Sequence, residues 1–378
     1  MKISNIIAVL EQWTPLVYAE DFDNVGLLVG DKNTACEGVL ITHDASEAVI
    51  DEAVKKNCQL VVCFHPIIFK GLTSLTGKNY VERTVIKAIE NKVAIYAIHT
   101  ALDNHKEGIS YQLGQCLGLT NQRILLPQKN TLMHLSTYVP ATEKEVVLNA
   151  LHEAGAGSIG DYSHCSFSVS GEGRFTPGKN SNPQLGVKES ANKVEEELLK
   201  VVVQKHQKNA VLSALQKSHP YESVAYELVQ LENQHNEIGL GSIGKLKEPM
   251  EETTFLAFIK TALNVPQIRH SVLLNKTVKR VAVLGGSGAF CIDAARAQGA
   301  DALVTADLKY HDFFKAEHKM LLVDAGHYET EHFTKKIIHG YLTKKIPNFA
   351  FTLSEKTRTQ FSISKLWPKK KKSAWKKS

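Results

Sequence analysis

The stretch from Cys36 to Pro66, "CEGVLITHDASEAVIDEAVKKNCQLVVCFHP", decides the fold. Residues 36 to 44 form a short, apolar, partly β-branched run that ends in His43-Asp44, as a buried strand would. Residues 45 to 57 carry apolar side chains at helical spacing, and 59 to 66 are a second buried strand, broken at Pro66. The alternation continues as a helix over 81–92 and a strand over 93–100. Strand, helix, strand, helix, strand predicts a mainly parallel sheet with helices on its faces.

A second block of the same kind starts near residue 277. "VKRVAVLGGSG" is strand and glycine turn, "AFCIDAARAQG" helix, "ADALVTAD" strand and "YHDFFKAEHK" helix, followed by "LLVDAGHYETEHF" (321–333). In that last stretch a buried strand meets Gly326, and a helix from 327 to 338 makes His327 and Glu331 neighbours on its first turn. Between the blocks, from about 131 to 232, strands are longer and more amphipathic, and residues 171–186 are a loop rich in Gly, Ser, Asn and Pro. Neither flanking block has strands enough for a full sheet alone. The expected fold is therefore a split three-layer α/β domain with a mainly parallel sheet, interrupted by an inserted α+β domain. The first half covers 1–128, the insert 129–234 and the second half 235–366, with a polybasic tail over 367–378.

Composition is that of a soluble protein: 43% apolar, 22% charged, and no run of eighteen apolar residues to span a bilayer. Ile3, Ile6, Ile7, Leu10 and Trp13 give the N-terminus an amphipathic helix in place of a signal peptide, so a cytoplasmic protein with no membrane partner is expected. The six cysteines contain no CxxC pair and fit reduced, mostly buried thiols. The net charge of +6 is concentrated: six of the 45 basic residues lie in the last twelve positions, and the remaining 39 equal the 39 acids. A neutral body argues against nucleic acid as a partner, and the lysine run fits a solvated tail.

Strand ends carry the chemistry. His65 follows "QLVVCF", His99 and Asp103 lie just past "VAIYAI", and His327 with Glu331 follow "LLVD". In an open α/β sheet the carboxyl ends of strands border the ligand crevice. Imidazoles mixed with carboxylates, without thiolates, suit Zn, Mn, Fe or Ni, and bridging carboxylates permit one or two divalent ions per chain. Each of these histidines could equally cap a strand. "LGGSGAF" (284–290) is a weak phosphate-cradle signal, and Ser287, Asp307, Lys309 and His311 stand near the same rim as candidate substrate contacts.

These residues together resemble the GTP cyclohydrolase 1 type 2 homologue family, also called the Ngg-interacting-factor-three-like proteins. The resemblance rests on "EDFDNVGLLVGD" (20–31), "CFHPIIFKG" (63–71), "HTALDNHKEG" (99–108), "GLGSIGKL" (239–246), "LGGSGAF", "TADLKYHD" (305–312) and "DAGHYETE" (324–331), in that order. It implies a dinuclear metal centre at the crevice of a homohexameric ring, with His65, Asp103, His327 and Glu331 as ligands. It also implies an insert similar to CutA-like or PII-like trimeric domains. The chain departs from the family at one point: the family typically reads His-His-Pro where this chain has Phe64-His65-Pro66, so one ligand is missing, and His99 could replace it or support Asp103. The function implied is metal-dependent hydrolysis of a nucleotide or other small molecule. The alternative is a non-catalytic, oligomeric metal- or ligand-binding ring with a regulatory role.

Overall fold

The computed structural model describes residues 1–356, so the lysine tail lies outside the described residues. Two sheets build the body where one split sheet is expected. The first has the order Gly26–Val29, Ala94–Ala97, Leu60–Cys63, Gly38–Thr42, Ala350–Leu353, parallel except at its first pair. The second has the order Arg269–His270, Leu321–Asp324, Ala302–Ala306, Thr277–Ser287, Gly239–Glu251, Thr120–Pro127, with parallel pairing at its centre. Each block thus completes a sheet of its own, but the two blocks trade one strand. Thr120–Pro127 of the first block edges the second sheet, and Ala350–Leu353 of the second block edges the first.

The central strands are as apolar as strands buried on both faces must be. Gly38–Thr42, Leu60–Cys63, Ala94–Ala97, Ala302–Ala306 and Leu321–Asp324 are buried at every position. One core joins the sheets: Val39, Ile41 and Tyr96 of the first belong to the same cluster as Val281, Val304 and Val323 of the second. Helices Ile3–Trp13, Ile109–Cys116, Glu252–Ala262 and Thr334–Lys345 contribute to this cluster. The N-terminal helix buries Ile3, Ile6 and Leu10, and Trp13 at its end stacks on Tyr341 with ring centres 4.2 Å apart. Outer faces are closed by Glu47–Lys55 and Tyr80–Glu90 on the first sheet and by Ile292–Ala297 on the second. All six cysteines are free thiols, four of them buried.

Residues between Leu132 and Gln230 form a third, wholly antiparallel sheet, ordered Ser166–Phe175, Asn192–Gln204, Leu132–Pro140, Tyr226–Gln230. Helices Lys144–Glu153 and Lys208–Ser218 cover one face through Leu148, Leu151, Val211 and Leu215. The sequence of elements is βαββαβ, the split-βαβ arrangement. No helix among the described residues is long and apolar enough to cross a membrane.

Three local expectations change: residues 171–175, expected at the start of a loop, complete strand Ser166–Phe175. The helix expected over 327–338 breaks into His327–Glu331 and Thr334–Lys345, where the Thr334 hydroxyl donates to the Glu331 carbonyl and competes with helical bonding. The helix expected over 310–319 is a tight turn of 3-10 type, Tyr310–Ala316, closed by Glu317 in a left-handed conformation. Because Ile41 is fully buried in the core shared by both sheets, Ile41→Ala is expected to cost about 2–4 kcal/mol, measured as a lowered denaturant midpoint.

Candidate metal centre

Both sheets direct the carboxyl ends of their parallel strands to one place. A cavity of about 500 Å³ lies there, lined among others by His65, His99, Asp103, Ser287, His327 and Glu331. Two five-residue helices frame it, His99–Asp103 after strand Ala94–Ala97 and His327–Glu331 after strand Leu321–Asp324. Each begins with a histidine and ends with a carboxylate one turn later, so both donors of each helix share a face.

Glu331 is the centre of the arrangement. Its side chain is only 4% exposed, and among the described residues its Oε2 atom has no hydrogen-bond partner. Around that oxygen stand Nε2 of His327 at 3.3 Å, of His65 at 3.4 Å and of His43 at 3.4 Å. Ligand atoms bound tetrahedrally at about 2.1 Å are themselves about 3.4 Å apart, so the spacings of Glu331 to His65 and His327, which also group with one another, match a divalent ion's first shell. A side chain at Gly286 would close the space: a Cβ there would lie 2.3 Å from Oε1 of Glu331, and the backbone is left-handed at φ +70°.

Three histidines are held from behind by carboxylates. Nδ1 of His65 lies 2.8 Å from Asp44, Nδ1 of His99 2.9 Å from Asp23, and Nδ1 of His327 2.6 Å from Asp307. A carboxylate on Nδ1 fixes the tautomer, leaves Nε2 as the free lone pair and raises its basicity, which is how metal-binding imidazoles are commonly supported. Two donor groupings result among the described residues: His65, His327 and Glu331, and His43, Asp44 and His65. They share His65.

The charges respond to this packing. Burial lowers the His65 imidazole, but Asp44 and Glu331 outweigh it and raise its pKa to about 9. Asp307 and then Glu331 raise that of His327 to about 10. Burial pushes the Glu331 carboxyl up, yet the imidazoles of His327, His43 and His65 overcome it and hold the group well below the usual carboxylate range. Asp103 moves the other way: burial, reinforced by the charge of Glu331, holds it well above that range. A divalent cation at this point would replace the imidazolium charges and relieve Asp103.

A family model described as Duf34/NIF3 (NGG1p interacting factor 3) matches residues 1–360. The chain belongs to that family. Relatives named GTP cyclohydrolase 1 type 2 homolog include those of Halalkalibacterium halodurans, 39% identical over 86% of this chain and 89% of that protein, and of Bacillus subtilis, 37% identical over 90% and 91%. Among solved structures, a Bacillus cereus protein related to NIF3 superposes with a TM-score of 0.84 at 34% identity, covering 96% of this chain and 99% of that one. A Staphylococcus aureus protein superposes at 0.76 with 28% identity and the same coverage.

In this Duf34/NIF3 chain His65, His327 and Glu331 converge, Asp103 lines the same cavity, and His99 faces it with its ring centre 5.1 Å from that of His65. The expected rim divides. Ser287 lines the cavity and hydrogen-bonds Asp307, and Asp307 orients His327 from behind. Lys309 and His311 do not line it. Asp307 is left-handed at φ +55°, and the turn that follows carries both residues outward, His311 beside Tyr310 and Phe314. Three further residues of the centre, His43, Asp44 and Asp23, lay outside the expected set. His43 and Asp44 end a strand just as His65 does, and that shared position was the available signal.

Since His65 and His327 hold protons at neutral pH in the metal-free chain, metal binding must release them. Apparent affinity is therefore expected to rise with pH below about 9, by about tenfold per unit for each proton released, checked by calorimetry in buffers of different ionisation enthalpy. The two raised groups favour the metal-free fold fully below the ordinary histidine value of 6.5. That contribution is lost as pH climbs through about 9 and then 10, so chelator-treated protein should lose thermal stability there. Gly286→Ala removes no donor, yet it should weaken metal binding about tenfold or more in a chelator competition.

Proposed function

We propose that this chain is a metal-dependent, hydrolase-like protein with one or two divalent ions held by His65, His327 and Glu331, with Asp103 as a further donor. The observation that carries the reading is the unpartnered, buried Oε2 of Glu331 facing three imidazole Nε2 atoms at the floor of a cavity open to small molecules. A divalent ion bound there supplies Lewis acidity and brings the pKa of water from about 15.7 towards about 7. The chain's own side chains do the rest. Asp44 and Asp307 fix the two imidazoles, and Phe22, Phe69, Phe290, Leu240 and Leu284 give the cavity an apolar wall. Asp103, whose carboxyl burial holds well above the usual carboxylate range, stands at the same wall as a further donor.

A nucleotide substrate is the reading that the relatives' name carries. A non-catalytic binding ring is favoured by one observation: none of the described residues lining the cavity is Lys or Arg, so with its histidines engaged at the metal centre the chain offers no lysine or arginine reader for phosphates. We also propose a homohexameric assembly in which the βαββαβ unit is CutA- or PII-like. The strand order and one-sided helical cover of that unit support the second part of this assembly reading.

Metal per chain and turnover of a nucleotide panel, measured together on protein purified without chelator or histidine tag, test the hydrolase. Glu331→Ala should lose both metal and turnover by at least about a hundredfold, since a ligand and its charge are removed together. Turnover that persists in that variant would sink the hydrolase reading, and binding without turnover in the native protein would favour the ring.

A further inference from the structure

Phe64 brings no donor to the centre, and the structure accounts for the position in another way. Phe64 is fully buried, one residue past strand Leu60–Cys63. On the neighbouring parallel strand Thr42 pairs with Cys63, which sets His43 beside Phe64. The two rings stack with centres 5.4 Å apart and planes inclined by 27°. His43 is 2% exposed, and edge contacts with His65 and Tyr328 close the remaining sides of its ring, with centres 4.6 Å and 5.6 Å away. So packed, its Nε2 lies 3.4 Å from Oε2 of Glu331, as near as that of His65.

From this packing we infer that His43 is a metal ligand in this chain, one strand over from the position where Phe64 cannot serve. The inference rests on the metal centre proposed above. A histidine buried among other rings costs free energy unless its polar atoms are used. Among the described residues Nδ1 of His43 has no hydrogen-bond partner, and Nε2 lies 3.4 Å from the Glu331 carboxylate. Aromatic packing takes the part that Asp44, Asp23 and Asp307 play for the other histidines: Phe64 is the plate that aims the imidazole. His43 also enters a three-donor grouping of its own with Asp44 and His65. The pair His43 and Phe64 is thus one unit, donor and support.

The test compares native protein with His43→Leu, His43→Gln, His65→Ala and the double variant His43→Leu/Phe64→His. Zinc per chain, zinc affinity against a chromophoric chelator and the visible spectrum of the cobalt-substituted protein are read in each. Loss of an ion, or a weakening of about tenfold or more, with a changed cobalt spectrum in both His43 variants is expected, together with recovery in the double variant. Where the leucine variant does not fold, as judged by circular dichroism, the glutamine variant decides, because it keeps a polar side chain of similar size. Unchanged stoichiometry, affinity and cobalt spectrum in the His43 variants, with loss in His65→Ala, would overturn the inference and leave the metal centre standing. If the native protein binds neither zinc nor cobalt, the centre fails and the inference falls with it.

Discussion

Everything around the cavity is arranged for one buried carboxylate. Glu331 enters from the second sheet, and two of the three imidazoles that face it, those of His43 and His65, come from the first. Removing a carboxylate from water costs several kcal/mol unless opposite charge is close, so the two sheets are electrostatically committed to each other at this seam. The shared apolar core brings them together without specifying how they meet, because apolar contact has no direction. Glu331 supplies that direction. Charge explains why the arrangement is tense without a cation: the imidazoles of His65 and His327 are pushed up, the Glu331 carboxyl is held well below the usual carboxylate range, and that of Asp103 is held well above it.

The supporting carboxylates follow a common plan drawn from unrelated segments. Asp44 follows its own strand, Asp23 comes from the loop before the first strand, and Asp307 from a left-handed turn of the second sheet. Each uses one oxygen to fix a histidine, and Asp23 uses the other to accept from the Thr100 amide and hydroxyl. Orientation of His99 is therefore tied to the start of its own helix. Rigid strand ends with hydrogen-bonded supports hold donors far better than loops would.

Much of this was legible in the sequence where a single local pattern was enough. The strand ends at His65, His99 and His327 could be read because a buried apolar run followed by a polar residue marks where a parallel strand stops. The i,i+4 spacing of His327 and Glu331 survived the later break at His332 and Phe333, because the pair needs only one turn. What could not be read depends on register between strands. That His43 stands beside Phe64 follows from Thr42 pairing with Cys63, a fact about two distant segments. The exchange of edge strands was hidden for a similar reason: Ala350–Leu353 is four residues long and half-exposed, and its place beside Gly38–Thr42 is decided by pairing alone. Lys309 and His311 looked like rim residues because they follow a strand closely, but one left-handed residue, Asp307, turned them away.

The traded strands set a timetable for synthesis. When Gly38–Thr42 leaves the ribosome its inner edge can pair as soon as Leu60–Cys63 follows, but its outer edge waits for Ala350–Leu353. At about 5–20 residues per second that wait is roughly 15 to 60 seconds. Throughout it the nascent chain carries an open edge whose strand, Val39, Leu40 and Ile41, is wholly apolar, the kind of edge that recruits other chains. The βαββαβ unit lies in the interval, so each residue it contains prolongs the exposure. Its closure into a sheet of its own keeps that added length from becoming a further sticky surface.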